Sequence, residues 1–149
     1  MESPNKSGCE KNWLPISGTD RFIYQWHPLD IREFKGSKTT LVASHTTPWF
    51  FRHLRGSARP IVVKNELWAL AHFVIGSSPR IYYHCIVVLD QKTYAPKRVS
   101  LPFLFYSKLI EFCTNLTVIG NTISCMFAVL DDAPYTATFT LEDSDWVQA

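Results

Sequence analysis

Charged and polar side chains stand at the openings of three stretches of this chain: Glu10-Lys11-Asn12-Trp13, Arg55-Gly56-Ser57 and Ile110-Glu111-Phe112. Lys11 and Asn12 suit either a sugar or phosphate ligand or a solvated turn ahead of a strand. Arg55 offers a planar guanidinium to an anion, and Gly56 lets the backbone come close. Its plainer role is an ion pair between neighbouring units. His72 lies in an apolar strand, where a histidine is either a ligand-binding group or a core residue with one satisfied nitrogen. His84 follows two tyrosines and reads as structural. Glu111, between two apolar neighbours, is either exposed at an edge or paired with a base such as Arg55. Asp131-Asp132 before Ala133-Pro134 reads as a turn, and adjacent carboxylates there point different ways. Trp49, in Thr47-Pro48-Trp49-Phe50-Phe51, is expected in a loop, as a sugar-stacking platform or as a hydrophobic plug. The candidate binding set is Lys11, Asn12, Trp49, Arg55, His72, Glu111 and Asp131. No catalytic residue is assigned, no ligand set suggests a metal, and no cofactor is expected.

Composition narrows the setting. The chain has 149 residues, 46% hydrophobic and 19% charged, which fits one folded domain with a sizeable core. Aromatic residues reach 14%, and flat rings pack well on pleated sheets. The net charge of +2 does not suggest nucleic-acid or membrane binding. No segment approaches the ~20 apolar residues of a membrane helix. The polar start, Met1-Glu2-Ser3-Pro4-Asn5-Lys6, has no apolar signal core, so a cytoplasmic setting is expected. Cys9, Cys85, Cys113 and Cys125 form no CxxC pair, and the last three sit in apolar runs as small buried hydrophobes.

The positioning elements read as strands. Phe22–Trp26, Leu67–Val74, Tyr82–Leu89, Thr117–Ile119 and Thr122–Phe127 are short runs rich in aromatic and β-branched residues. Gly120-Asn121 between the last two signals a hairpin. Tyr135–Thr140 alternates on a two-residue period, as a half-buried strand does. Tyr106–Phe112 has at most one uncapped helical turn, and residues 1–9 read as a flexible lead-in. Strands at roughly 8–12-residue spacing fit a sandwich, a barrel or a propeller. A repeat of about 50 residues favours the propeller. The expected fold is all-β, an incomplete β-propeller of about three four-stranded antiparallel blades over 10–54, 55–108 and 109–149. In a propeller the residues opening each blade, here with Glu10, converge on one mouth of the central channel.

The order of these motifs resembles the mannoside phosphorylase family of five-bladed propellers over roughly residues 9–147. Lys11-Asn12, then Pro15 and Gly18, match one blade's opening. Arg55-Gly56, Pro60-Ile61 and Leu67–His72 match the next, although Ala71 and Phe73 stand where the family has Tyr and Gly around its histidine. Tyr82–Leu89 with Asp90 is similar to the family's strand ending in Leu-Asp. Glu111 and Ala128–Asp132 match the last blade. The resemblance implies basic, His and Tyr positions that cradle phosphate beside a sugar, with a separate carboxylic acid protonating the leaving oxygen. In the family that acid lies on an earlier blade, ahead of where this chain begins. The expectation is therefore a sugar or sugar-phosphate binding module, with inorganic phosphate as a further ligand, and not an enzyme alone. The alternative is a structural or protein-interaction module, since open blade edges invite self-association or a partner chain.

Overall fold

A computed structural model describes residues 11–106 and 109–149, and every element below lies within them. The lead-in expected over residues 1–9, together with Glu10, lies outside the described residues. The first sheet runs in order β1 (Leu14–Pro15), β2 (Arg21–Trp26), β3 (Leu29–Lys35) and β4 (Lys38–His45). The second holds β5 (Arg55–Gly56), β6 (Ile61–Val63), β7 (Glu66–Ile75), β8 (Ile81–Asp90) and β9 (Pro96–Ser100). The third is β10 (Glu111–Ile119), β11 (Thr122–Val129) and β12 (Ala133–Phe139). The last strand, β13 (Trp146–Gln148), returns to the second sheet and pairs with β9. All pairings are antiparallel, and none of the sheets closes on itself.

The all-β expectation holds, but equal four-stranded units do not. The sheets have four, six and three strands. The second gains β6 beside β7 and β13 beside β9, so the C-terminal segment covers an edge of the middle sheet instead of completing the third. Trp49 lies in a short 3₁₀ helix, Trp49–His53, and not in an irregular loop. Of the Tyr106–Phe112 segment, residues 107 and 108 lie outside the described residues, and a strand begins at Glu111. No helix among the described residues is long and apolar enough to cross a membrane.

The middle sheet explains the layering. β7 and β8 pair over ten positions, from Glu66↔Asp90 to Ile75↔Ile81. Strand side chains alternate between faces. Leu67, Ala69, Ala71, Cys85, Val87 and Leu89 pack on one face against Leu14, Ile23, Trp26, Leu29 and Ile31 of the first sheet. Leu70, Ile86 and Val88 pack on the other against Cys113, Leu116, Ile123, Cys125 and Phe127 of the third. Cys85, Cys113 and Cys125 are free and buried, as expected for small apolar residues. Two of the three bulges in the outer sheets show how the core faces stay in phase. Register slips between Ile23 and Gln25 and between Cys113 and Asn115, so Ile23 and Trp26, and likewise Cys113 and Leu116, face the same core.

The first two sheets come close where Leu14 of β1 faces Gly56 of β5. A Cβ on Gly56 would collide with the Leu14 side chain and the Asn12 carbonyl oxygen. Asn12, held at φ 63, donates from Nδ2 to the Gly56 carbonyl at 3.1 Å. Gly56→Ala is therefore expected to lower stability by about 1–3 kcal/mol through overpacking. The check is the urea midpoint, and an unchanged midpoint would show that this contact relaxes freely.

Candidate functional site

One cavity of about 330 Å³ is lined by Lys11, Asn12, Arg55, His72, Tyr82, Ile110, Phe112 and Asp131. Every sheet contributes to it. Lys11 and Asn12 precede β1, Arg55 opens β5, and His72 and Tyr82 lie on β7 and β8. Ile110 and Phe112 flank the start of β10, and Asp131 sits in the turn from β11 to β12, at φ 57. The pairing fixes the centre. Arg55 lies opposite His72, and His72 lies opposite His84, so these three form one row across the middle sheet. Opposed residues in an antiparallel pair share a face. Tyr82, two positions before His84, therefore joins His72 on the face toward the third sheet.

His72 is almost fully enclosed. Its ring stacks on Tyr82 at 5.1 Å and meets the Phe112 ring edge-on at 5.6 Å. Ser57 Oγ lies 2.7 Å from its Nδ1. Burial, followed by the positive charges of Arg55 and Lys11, pushes the imidazole down to about 4. His72 is therefore neutral at physiological pH. The cations of the cavity are Lys11 and Arg55, facing a single carboxylate, Asp131.

Five of the seven sequence candidates thus meet at one cavity: Lys11, Asn12, Arg55, His72 and Asp131. Glu111 does not line it. Strand alternation turns Ile110 and Phe112 toward the cavity and Glu111 away. Its carboxylate is fully buried and accepts the backbone N–H groups of Phe105 and Tyr106, both at 2.9 Å. Trp49 does not line the cavity either. Its ring is 68% exposed, carries the Arg52 guanidinium at 4.1 Å from the ring centre and meets His27 edge-on at 5.9 Å. His27 and Arg52 line a neighbouring cavity of about 230 Å³ that shares Lys11, Asn12 and Arg55 with the first. Trp49 therefore stands beside a continuation of the same groove. Tyr82, Phe112 and Ser57 were not singled out from sequence. Alternation around Glu111 carried the signal for Phe112, and the Arg-Gly-Ser opening carried it for Ser57.

Behind the cavity lies a second polar pair. His84 is fully buried, and neither ring nitrogen has a hydrogen-bond partner among the described residues. Phe105 and Phe103 pack on its ring at 4.5 and 6.0 Å. Glu111 Oε2 lies 3.9 Å from Nε2, beyond hydrogen-bond reach, and so does not offset the loss of solvation. Burial, followed by repulsion from His72, pushes His84 down to about 3. Among the described residues no group of three or more His, Cys, Asp or Glu could hold a metal ion.

No family model matches this chain, and no curated protein or solved structure matches it.

The two histidines make stability depend on pH. Both folded-state values lie below the ordinary ~6.5, so the unfolded chain takes up protons first as pH falls. Their titration has no effect on stability above about pH 6.5 and destabilises the fold as pH falls below it, toward pH 4 for His72 and pH 3 for His84. Each should cost about 3 kcal/mol or more across its window. Urea unfolding at several pH values should show a shallower acid loss for His72→Gln. His84→Leu should flatten it further and raise stability near neutrality by about 1 kcal/mol, because an unsatisfied polar group leaves the core. Parallel pH curves for wild type and both variants would contradict the assignment.

Proposed function

We propose that this cavity binds a sugar phosphate, and that the three sheets are consecutive blades of an open propeller similar to those of mannoside phosphorylases. The propeller reading is supported by the order of the sheets along the chain and by the contact of β1 with β5 at Gly56. The binding reading rests above all on one observation: Lys11 and Arg55 share a cavity with neutral hydrogen-bonding groups and two aromatic side chains.

That set divides by chemistry. A phosphate takes charge-assisted hydrogen bonds from Arg55 and Lys11, the guanidinium in a two-pronged fashion. A sugar ring offers hydroxyls, which Asn12 and Asp131 can meet, and C–H faces, which suit Tyr82 and Phe112. His72 carries one proton on its neutral ring. In the tautomer where Ser57 donates to Nδ1, Nε2–H is left as a donor toward the ligand. The proposed activity is binding, and no residue is assigned to bond breaking.

A second reading, a protein-interaction module, has its own support. Among the described residues β4 ends the first sheet with no strand on its outer side, and Leu41 on it is 52% exposed. An uncovered edge of this kind accepts another strand.

Calorimetry with mannose 1-phosphate, inorganic phosphate and mannose at low salt separates the readings. The phosphosugar is expected to bind most tightly, the phosphate more weakly and the uncharged sugar weakest. Arg55→Ala should weaken phosphosugar binding about tenfold or more, as loss of a charge-assisted contact does. Arg55 is exposed, so its urea midpoint should hardly move. No heat from any ligand, together with a dimer by light scattering, would favour the interaction module instead.

A further inference from the structure

A larger cavity, about 460 Å³, opens at the other end of the same two sheets. Val118, at the far end of β10, and Gly120-Asn121 in the following hairpin turn form one wall. Trp68 on β7, Arg98 on β9 and Trp146 on β13 form the other. Its size falls within the range of about 300–1,000 Å³ typical of ligand pockets. The proposed phosphosugar cavity shares none of its lining residues.

The aromatic wall is built stiffly. Trp68 and Trp146 meet edge-to-face at 5.4 Å. The Arg98 guanidinium lies 4.9 Å from the Trp146 ring centre and 5.6 Å from that of Trp68. Glu66 anchors the assembly. It accepts Arg98 through both oxygens at 2.8 and 2.6 Å, Lys97 at 2.7 Å and the Trp68 indole N–H at 3.1 Å. Hydrogen bonding from Arg98 holds its carboxyl down at about 2, so it stays ionised. The charges on the lining are mixed, with Lys64 and Arg98 beside Glu66 and Asp143, and Lys97 adds a cation against Glu66. Two carboxylates stand among these cations, against one in the Lys11–Arg55 cavity.

The side chains of Lys64, Asn121, Asp143 and Gln148 stand on this lining with no internal hydrogen bond or ion pair among the described residues. Together they offer amide, ammonium and carboxylate groups to a ligand. The opposing wall offers indole surface. A pyranose ring combines the same two characters, with hydroxyls around its rim and apolar C–H groups on its faces. We infer that this cleft between the second and third sheets binds an uncharged oligosaccharide, independently of the Arg55 cavity.

Indole N–H resonances report the site directly, with cellohexaose, mannohexaose, xylohexaose and maltohexaose as probes. At least one should shift the Trp68 and Trp146 signals saturably, and by the same amount in Arg55→Ala. Asn121→Ala and Asp143→Ala, both at exposed positions, should each weaken that binding about fivefold. Keeping the Trp68–Arg98–Glu66 frame intact leaves the fold as the constant. The inference is overturned if none of the four sugars shifts these signals, or if binding is undiminished in both variants. A shift lost in Arg55→Ala would overturn the independence of the two sites while leaving the phosphosugar reading standing.

Discussion

Ten residue pairs zip β7 to β8, and both faces of that ribbon carry apolar side chains. A sheet in this condition has no face left for water. Leu67, Leu70, Ile86 and Leu89 are essentially fully enclosed, and each such side chain contributes roughly 1.5–3 kcal/mol on burial. The ribbon therefore needs a cover on each side, and the chain supplies one before it and one after it. That requirement sets the order of the three sheets. It also explains why the outer sheets differ from the middle one. Each need be apolar only on the face it turns inward, and β12 shows this with Ala137 and Phe139 packed inside and Thr136 and Thr138 exposed.

The same logic decides what could be read from the residues. The β7 and β8 runs are continuous apolar stretches, and β12 alternates, so both declared their burial in advance. Gly120, at φ 60 between β10 and β11, declared its turn. The bulges did not. Whether Tyr24 or Thr114 stays in step or slips depends on partners across the sheet, and a single strand carries no mark of it. The destination of β13 was hidden for the same reason, since Trp146-Val147-Gln148 fits any edge of suitable length. Among site residues, Lys11 and Arg55 were legible because they open stretches of the chain, and His72 because it interrupts an apolar run. Glu111 was legible as an oddity, but the hydrogen bonds that satisfy it come from Phe105 and Tyr106, in a segment without periodic pattern.

Glu111 and His84 carry a cost that the rest of the core does not. A buried carboxylate is tolerable when it is hydrogen-bonded, and two backbone N–H groups meet that need. His84 has no such relief and stays neutral among phenylalanines. Its neutrality matters for the cavity in front of it. A charged His84 would sit directly across the ladder from His72 and add a second cation to a row that already begins with Arg55. With both histidines neutral, the positive charge on the cavity lining comes from Lys11 and Arg55, both of them exposed.

β10 is the strand on which the two cavities turn. Its first residues approach His72 and its last approach Trp68, and Phe112 and Val118 are six positions apart, roughly 20 Å of extended chain. Between them Cys113 and Leu116 are packed against Leu70 and Ile86, which closes any passage along the sheet interface. No ligand can thread from one cavity to the other without dismantling that core. The two cavities are therefore separate spaces, joined only around the outside of the molecule. Their linings differ in charge: Lys11 and Arg55 face Asp131 alone at one end, whereas Glu66 and Asp143 stand among the cations at the other. The packing that encloses β7 and β8 thus also keeps the two cavities apart.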